Sequence, residues 1–382
     1  MSDTNPVVEL IGAIDNKLEK VHTQSLDLSF NELLDMYREG ELKIDPEYQR
    51  VFRWSEGARS RFVESLLLEM PVPPIYVIEE NDGKYLLIDG LQRISSYLHL
   101  RGELSASHLD PVVSVGEKLT LVDCDIVTEL NGKTYDNLGS ALQIRLKRAF
   151  IRVEVVRKGS DPRFKYHMFK RLNTGGQLLS EQQIRNCTIR LLSSAFNDFI
   201  IDLSHGQDFS LCIQNITDEQ RLNAYDQELV LRFLALKNDR DKFKHDVSDF
   251  LTEYMESVSE PEEQKRREFK YPEEREIFEK TFKVLARSLG ELAFGYANRT
   301  RNNITRSFGI YHFEAITLGL QGILEVLDPM DDNQMAKVAE ALKTIKLDPQ
   351  FITHTTGGGK NSRGQMRTRV DFVENKLKAA FE

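Results

Sequence analysis

The chain has 382 residues, of which 40% are hydrophobic and 29% are charged, so it can bury the cores of two domains and is not a disulfide-stapled miniprotein. Its 51 Lys and Arg against 60 Asp and Glu give a net charge of −9, which excludes a general nucleic-acid coat protein. Three widely spaced cysteines without a Cys-x-x-Cys pair, and the lack of a signal-like or membrane-length apolar segment, predict a cytoplasmic protein with no membrane partner.

The N-terminal part of the chain predicts helices first. Apolar residues at helical spacing predict a helical arm within residues 1–25. Ser29 and Glu32 then form a capping-box pattern for a second helix, and Ser55 is a suitable N-cap for a third.

Strand patterns follow these helices. The predicted strands are Ile75–Ile78 and Lys84–Ile88 in one hairpin, 119–130 and 133–135 in a second hairpin, and Ile151–Val156. The first hairpin turns at Asn81-Asp82-Gly83, whose residue types accept the positive φ of a tight turn.

Beyond about Gly176 the spacing of apolar residues becomes helical, with almost no β alternation. The sequence therefore predicts an α+β protein. A small mixed-sheet domain is expected at residues 26–175, followed by an all-helical domain at residues 176–382.

The segment Asp89-Gly90-Leu91-Gln92-Arg93 joins an apolar strand to an amphipathic helix. Such a turn directs the first N–H groups of the helix, and the positive end of its dipole, toward an anion such as phosphate. Arg93 could clamp that anion, and Asp89 could hold a metal-bound or free water. Alternatively, Asp89 is an ordinary N-cap that pairs with Arg93 four residues later, and spacing leaves both explanations open.

Two further clusters contain polar side chains suited to ligand binding. Tyr48-Gln49-Arg50 precedes Trp54, and arginine beside aromatic rings suits a nucleobase and its phosphate, although Trp54 can equally belong to the core. Asn173-Thr-Gly-Gly can end a helix, with Ser180 and Gln183 starting the next, which is also the composition of a plain connector.

Together these clusters resemble a known family. Tyr48-Gln49-Arg50-x-x-x-Trp54, Asp89-Gly90-x-Gln92-Arg93 and Phe169-x-x-Leu172-Asn173-x-x-Gly176 occur in the order and spacing of the N-terminal domain family of the GmrSD modification-dependent restriction enzymes. The resemblance implies a domain related to the ParB/sulfiredoxin fold.

The resemblance further implies binding, and often hydrolysis, of a nucleoside triphosphate with Mg²⁺ that gates DNA restriction by a separate nuclease subunit. At matching positions, Asp89, Gly90, Gln92 and Arg93 would form the nucleotide motif, with Asp89 the possible Mg²⁺ ligand. Tyr48, Gln49 and Arg50 would line the same cleft, and Asn173 would close it. Leu91 stands where the family usually has Gln, so binding is better supported than hydrolysis.

Two other functions remain open at this point: a ParB-like DNA-binding adaptor that binds nucleotide without turnover, and a nuclease acting through Asp89. The eight histidines are scattered, which does not fit a His-Asn-His nuclease. One segment, residues 353–370, is locally basic and could contact DNA from a glycine-rich loop ahead of a helix predicted to start at Asp371.

Overall fold

We analysed a computed structural model of the chain, which divides into two compact units. One unit comprises residues 1–179 and 186–191, and the other comprises residues 180–185 and 192–382. The residues that the structure describes are 22–44, 54–80, 82–107, 111–160, 180–190, 192–244, 246–260 and 268–382, with Leu10, Ile11, Ile14, Phe52, Leu109 and Met168.

The first unit contains a five-stranded mixed sheet of order β1-β5-β3-β4-β2. Its strands are β1 (Thr23–Ser29), β2 (Leu42–Lys43), β3 (Ile75–Glu79), β4 (Tyr85–Asp89) and β5 (Phe150–Val156). β1 pairs antiparallel with β5, β3 pairs antiparallel with β4 and parallel with β5, and β2 pairs parallel with β4. The predicted first hairpin and the strand at residues 151–156 are confirmed.

Among the described residues of the first unit, the helices that accompany the sheet are α1 (Phe30–Arg38), α2 (Glu56–Leu67), α3 (Leu91–Arg101) and α4 (Ser140–Arg148). The predicted caps are present, because Ser29 Oγ accepts a hydrogen bond from Glu32 N at 3.1 Å and Ser55 Oγ accepts one from Ala58 N at 3.2 Å. Most of the predicted N-terminal arm lies outside the described residues, and its last three positions, 23–25, belong to β1 instead.

The predicted second hairpin is wrong. Residues 119–135 contain two short 3-10 helices, Thr128–Leu130 and Tyr135–Asn137, and no strand. Side chains satisfy the backbone here: Asn131 bonds both the N–H and the carbonyl of Cys124, and Glu64 Oε1 accepts from the N–H groups of residues 126 and 127. The two arms meet at one position only, where Leu121 N donates to Lys133 O and Gly132 N donates to Leu121 O, both at 2.8 Å. Beyond it, Glu64 and Asn131 occupy the backbone groups that would extend this contact into a strand ladder.

The second unit is helical, as predicted. Its helices are α5 (Glu181–Ile189, shared with the first unit), α6 (Ala195–Ser204), α7 (Gln207–Cys212), α8 (Asp218–Leu222), α9 (Tyr225–Asp239), α10 (Val247–Ser259), α11 (Tyr271–Ser288), α12 (Ile310–Gly319), α13 (Asp332–Leu347), α14 (Pro349–Thr355) and α15 (Arg363–Phe381). Ser180 and Gln183 exchange the predicted capping hydrogen bonds at 3.0 and 3.2 Å. Among the described helices, none is long and apolar enough to cross a bilayer.

A chain of ion pairs crosses the core of the helical unit. Glu228 accepts from Arg185 at 2.9 Å and from Arg232 at 3.0 Å, and Arg232 also donates to Glu314 at 2.7 Å. Arg369 pairs with the other oxygen of Glu314, and both of these side chains are fully buried. Because a buried charge without a counterion is very costly, these five residues depend on one another.

The structure corrects the predicted start of the last helix, in the basic segment at residues 353–370. The last helix begins at Arg363, with Ser362 as its N-cap, and not at Asp371. The earlier start places Arg369 in the helix, where it reaches Glu314 on α12. Arg363 and Arg367 pair with Asp241 and Asp371 at 2.8 and 3.5 Å, so three of the four cations predicted to face DNA have acidic partners within the protein.

Candidate functional site

The turn between β4 and α3 has the predicted strand, turn and helix geometry. Gly90 adopts φ +102° and opens α3, and Ile94 N donates to Gly90 O at 3.0 Å. A Cβ atom at position 90 would lie only 2.3 Å from Ile75 Cγ2, so the close approach of β3 requires glycine. Gly90 has no side chain to cap the helix, and no side-chain hydrogen bond caps it, so the first N–H groups carry the positive end of the helix dipole.

Arg93 lies in the first turn of α3 and is held by two acceptors. Its Nη2 donates to Asp89 Oδ2 at 2.9 Å and to the carbonyl of Pro74 at 3.0 Å. The side chains keep 16% and 33% of their surface exposed for Arg93 and Asp89 respectively. Asp89 and Arg93 thus form the ion pair that the sequence offered as an alternative to anion binding. An anion could bind Arg93 only in competition with Asp89.

Gln92 connects the turn to the segment before α2. Its Oε1 accepts a hydrogen bond from Trp54 N at 3.1 Å, which brings together two of the three motifs that were singled out in the sequence. The Trp54 ring is partly buried on the core of the first unit and packs edge-on against Phe62, with the ring centroids 5.8 Å apart. Trp54 therefore packs against the core, which was one of the two explanations that the sequence allowed. Its backbone N–H also holds the Gln92 side chain.

Two buried residues beneath this contact were missed by the sequence analysis. Arg59 Nε donates to the carbonyl of Trp54 at 2.7 Å, and its Nη1 lies 3.0 Å from His99 Nδ1. Burial lowers the pKa of His99 to about 4, and the charge of Arg59 contributes to that decrease, so the ring is neutral at pH 7. His99 follows Gln92 by seven residues, two turns along one face of α3, a spacing that could have identified it.

Leu91 occupies the position where the resembled family usually has Gln. Its side chain is 3% exposed and belongs to the core of the first unit. At this position the chain therefore has a packing residue, and an amide here would have to be buried.

A hollow of about 400 Å³ borders Trp54. Its wall carries Glu56, Arg59 and Asp123 together with Leu109 and other apolar groups. This mixture of charges can accommodate a polar group beside the indole ring, but the hollow is near the small end of the range for cofactor pockets.

For a metal, the described residues contain no group of three or more His, Cys, Asp or Glu side chains arranged to hold one. A nucleotide-bound Mg²⁺ needs less, since it commonly keeps one or two carboxylates and takes its remaining ligands from phosphate and water. Asp89 could supply such a carboxylate once its contact with Arg93 is released. The turn thus offers a nucleotide-bound metal one carboxylate, that of Asp89.

The remaining predicted site residues, Tyr48, Gln49, Arg50 and Asn173, lie outside the described residues. Of the eight predicted positions, the structure describes Asp89, Gly90, Gln92 and Arg93. Asp89 and Arg93 contact each other, whereas the Gln92 side chain accepts from Trp54 N. The role of the other four stays a prediction of the family resemblance.

A comparison with protein families gives a match for the part of the chain that contains this turn. Residues 30–190 match the family described as the N-terminal domain of the GmrSD restriction endonuclease, a match that covers less than half of the chain. No curated protein and no solved structure matches the chain, so the implied relation to the ParB/sulfiredoxin fold stays a prediction. Residues 30–190 are therefore similar to the GmrSD N-terminal domain family, a similarity that suggests a component of a restriction or defence system.

Proposed function

We propose that the chain binds a nucleoside triphosphate with Mg²⁺ at the Asp89–Arg93 turn, hydrolyses it, and thereby regulates a separate nuclease in a DNA restriction or anti-phage defence system. The family match supports the biological setting. The geometry of the turn supports an anionic ligand such as a triphosphate.

The observation that carries the proposal is the position of Arg93. A cation in the first turn of a helix opposes the helix dipole by about 0.3–1 kcal/mol, so this placement is unfavourable unless an anion is near. Asp89 provides one negative charge at 2.9 Å. A triphosphate would provide more charge to the same guanidinium and to the helix start, through charge-assisted hydrogen bonds.

Asp89 therefore has two roles in the proposal. Without ligand, it holds Arg93 at the turn. With ligand, phosphate oxygens replace it on Arg93, and its carboxylate becomes available to the Mg²⁺ that accompanies the nucleotide. The guanidinium stays oriented throughout by the carbonyl of Pro74.

Calorimetric titration of the full chain with ATP, GTP, CTP and UTP tests binding. Arg93→Ala should weaken the preferred triphosphate about 10- to 100-fold, from the loss of about 1.5–3 kcal/mol in hydrogen bonds to a charged group. Arg101→Ala is the matched control, since it removes a cation about 12 Å away along the same helix and should leave affinity unchanged. Intact affinity in Arg93→Ala would remove Arg93 from the site.

Asp89→Asn separates the two roles of the carboxylate. In EDTA the substitution should strengthen triphosphate binding, because it removes a negative charge that competes for Arg93. With Mg²⁺ present it should weaken binding, because a metal ligand is lost. Stronger binding under both conditions would retain the anion site and reject Asp89 as a metal ligand.

Phosphate release, measured with and without DNA, distinguishes the proposal from its alternatives. Turnover that is abolished in Arg93→Ala supports an NTPase. Binding without turnover supports a ParB-like adaptor, and plasmid nicking by the isolated chain supports a nuclease.

A further inference from the structure

A basic stretch that was not considered from the sequence covers α4 and the first residues of β5. Residues 140–152 contain the cations Arg145, Lys147, Arg148 and Arg152 and no Asp or Glu. All four of these residues are exposed. In a chain whose net charge is −9, this stretch is a local positive surface.

The positive surface borders an apolar groove of about 960 Å³ within the first unit. Apolar residues from the end of α2, the segment leading to β3, α4 and the start of β5 line it, among them Met70, Val72, Pro74, Ile144 and Phe150. Phe150, Ile144 and Met70 are 68%, 47% and 40% exposed. Large apolar side chains exposed together around one concave surface are typical of a site for another molecule.

The charges around the groove leave a positive excess. Arg152 is paired with Asp27 through two hydrogen bonds of 3.0 Å, and Arg145 Nε lies 3.7 Å from Glu69. Among the described residues, no acidic side chain pairs with Lys147 or Arg148. The rim can therefore attract negative charge, while most of the groove surface is apolar.

We propose that this groove docks an acidic, amphipathic segment of a partner protein, with its apolar side chains against Phe150 and Ile144 and its carboxylates near Lys147 and Arg148. A nucleic acid fits the groove less well, because phosphates would meet Asp27 and Glu69 at the rim and would leave the apolar floor uncovered. The groove also adjoins the candidate nucleotide site, since Pro74 lines it and accepts the hydrogen bond from Arg93. The proposal goes beyond the proposed function and does not depend on nucleotide binding.

Methyl NMR of the full chain can test the proposal with defined probes. The acidic probe is a helical peptide of about 20 residues with leucines at three- and four-residue spacing and glutamates elsewhere. A second peptide has lysines in place of the glutamates, and a third probe is an oligo-dT of similar length. The methyl groups of Met70 and Ile144 report on the groove, and those of Met330 and Ile126, 64% and 60% exposed elsewhere, serve as controls.

The acidic peptide should shift the Met70 and Ile144 methyl signals saturably and more weakly at high salt, without shifting the two controls. Phe150→Asp should weaken binding about tenfold or more, and Arg148→Glu about fivefold or more. Val115→Asp, at a 66% exposed position outside the groove lining, should have no effect, and exposed positions permit all three variants to fold.

The proposal is overturned if the groove methyls do not respond to the acidic peptide at millimolar concentration, or if the basic peptide binds equally well. It is also overturned if oligo-dT alone shifts these signals, since the surface would then be a nucleic-acid site. Failure of nucleotide binding by itself would leave the docking result unaffected.

Discussion

Replacing Gly90 with alanine tests the geometry on which the candidate site depends. Gly90 has φ +102°, a conformation that costs an L-residue about 1–2 kcal/mol. The new Cβ atom would also lie 2.3 Å from Ile75 Cγ2 and 2.9 Å from Ile75 Cβ. Because Ile75 is fully buried in β3, it cannot swing away without disturbing the sheet.

The two costs can be added. Overpacking a well-filled core costs about 1–3 kcal/mol, so Gly90→Ala should lower the free energy of unfolding of the first unit by about 2–5 kcal/mol. Gly83→Ala is the matched control, since Gly83 has φ +82° and a Cβ atom added there would meet nothing within 4 Å. That control should lose only the conformational cost of about 1–2 kcal/mol.

Urea unfolding followed by far-ultraviolet circular dichroism measures both variants against the parent chain. The double variant Gly90→Ala with Ile75→Ala should be less destabilised than the sum of the two single variants, because shortening Ile75 removes the closest atom. If Gly90→Ala costs no more than Gly83→Ala, the close approach of β3 to the turn is wrong, and the argument for the site loses its geometric basis.

Two further predictions concern buried charge and pH. Glu314→Gln should lower the free energy of unfolding of the helical unit, measured in urea, by about 3–5 kcal/mol, because it leaves buried arginines without their counterion. The control Asp332→Asn, at an exposed ion pair, should cost at most about 1 kcal/mol. Equal costs would contradict the buried network. Burial lowers the pKa of His99 from 6.5 to about 4, so between these pH values the unfolded chain binds a proton that the folded chain does not. The free energy of unfolding is therefore highest above pH 6.5 and decreases as the pH falls toward 4. His99→Gln should flatten the pH dependence of unfolding over that interval by up to about 3 kcal/mol, and a parallel curve would refute the burial of a neutral ring.

Several elements could be predicted from sequence because their causes lie within a few residues. Ser180 and Gln183 form both hydrogen bonds of a capping pair, and Ser29 forms one of the two expected with Glu32, since each pair joins residues three positions apart. The strand, turn and helix around Gly90 are likewise encoded locally, by an apolar run, a residue tolerant of positive φ and an amphipathic repeat.

Two other predictions failed for different reasons. In the segment 119–135 a distant side chain takes the backbone groups, whereas at the last helix a local cap was missed, in which Ser362 Oγ accepts a hydrogen bond from Gln365 N at 3.4 Å. The segment 119–135 alternates like a hairpin, yet Glu64 on α2 accepts the N–H groups that a strand partner would need. The last helix begins at Arg363 and places Arg369 against Glu314, which lies 55 positions earlier in the chain. No local pattern around either segment indicates the partner.

The amino-acid sequence by itself determined the mixed-sheet and helical architecture, the local turn at Gly90 and the similarity of residues 30–190 to the GmrSD N-terminal domain family, because periodicity, caps and motif spacing depend on neighbours along the chain. Only the tertiary structure decided that Arg93 pairs with Asp89, that Arg59 and His99 support Trp54, and that an apolar groove lies beside the basic stretch at residues 140–152. Asp89 and Arg93 are four residues apart, and their spacing left the pairing open until the structure showed it. The other arrangements join segments far apart in sequence, and the free energy of burying and pairing their charges depends on surroundings that form only when the chain has folded.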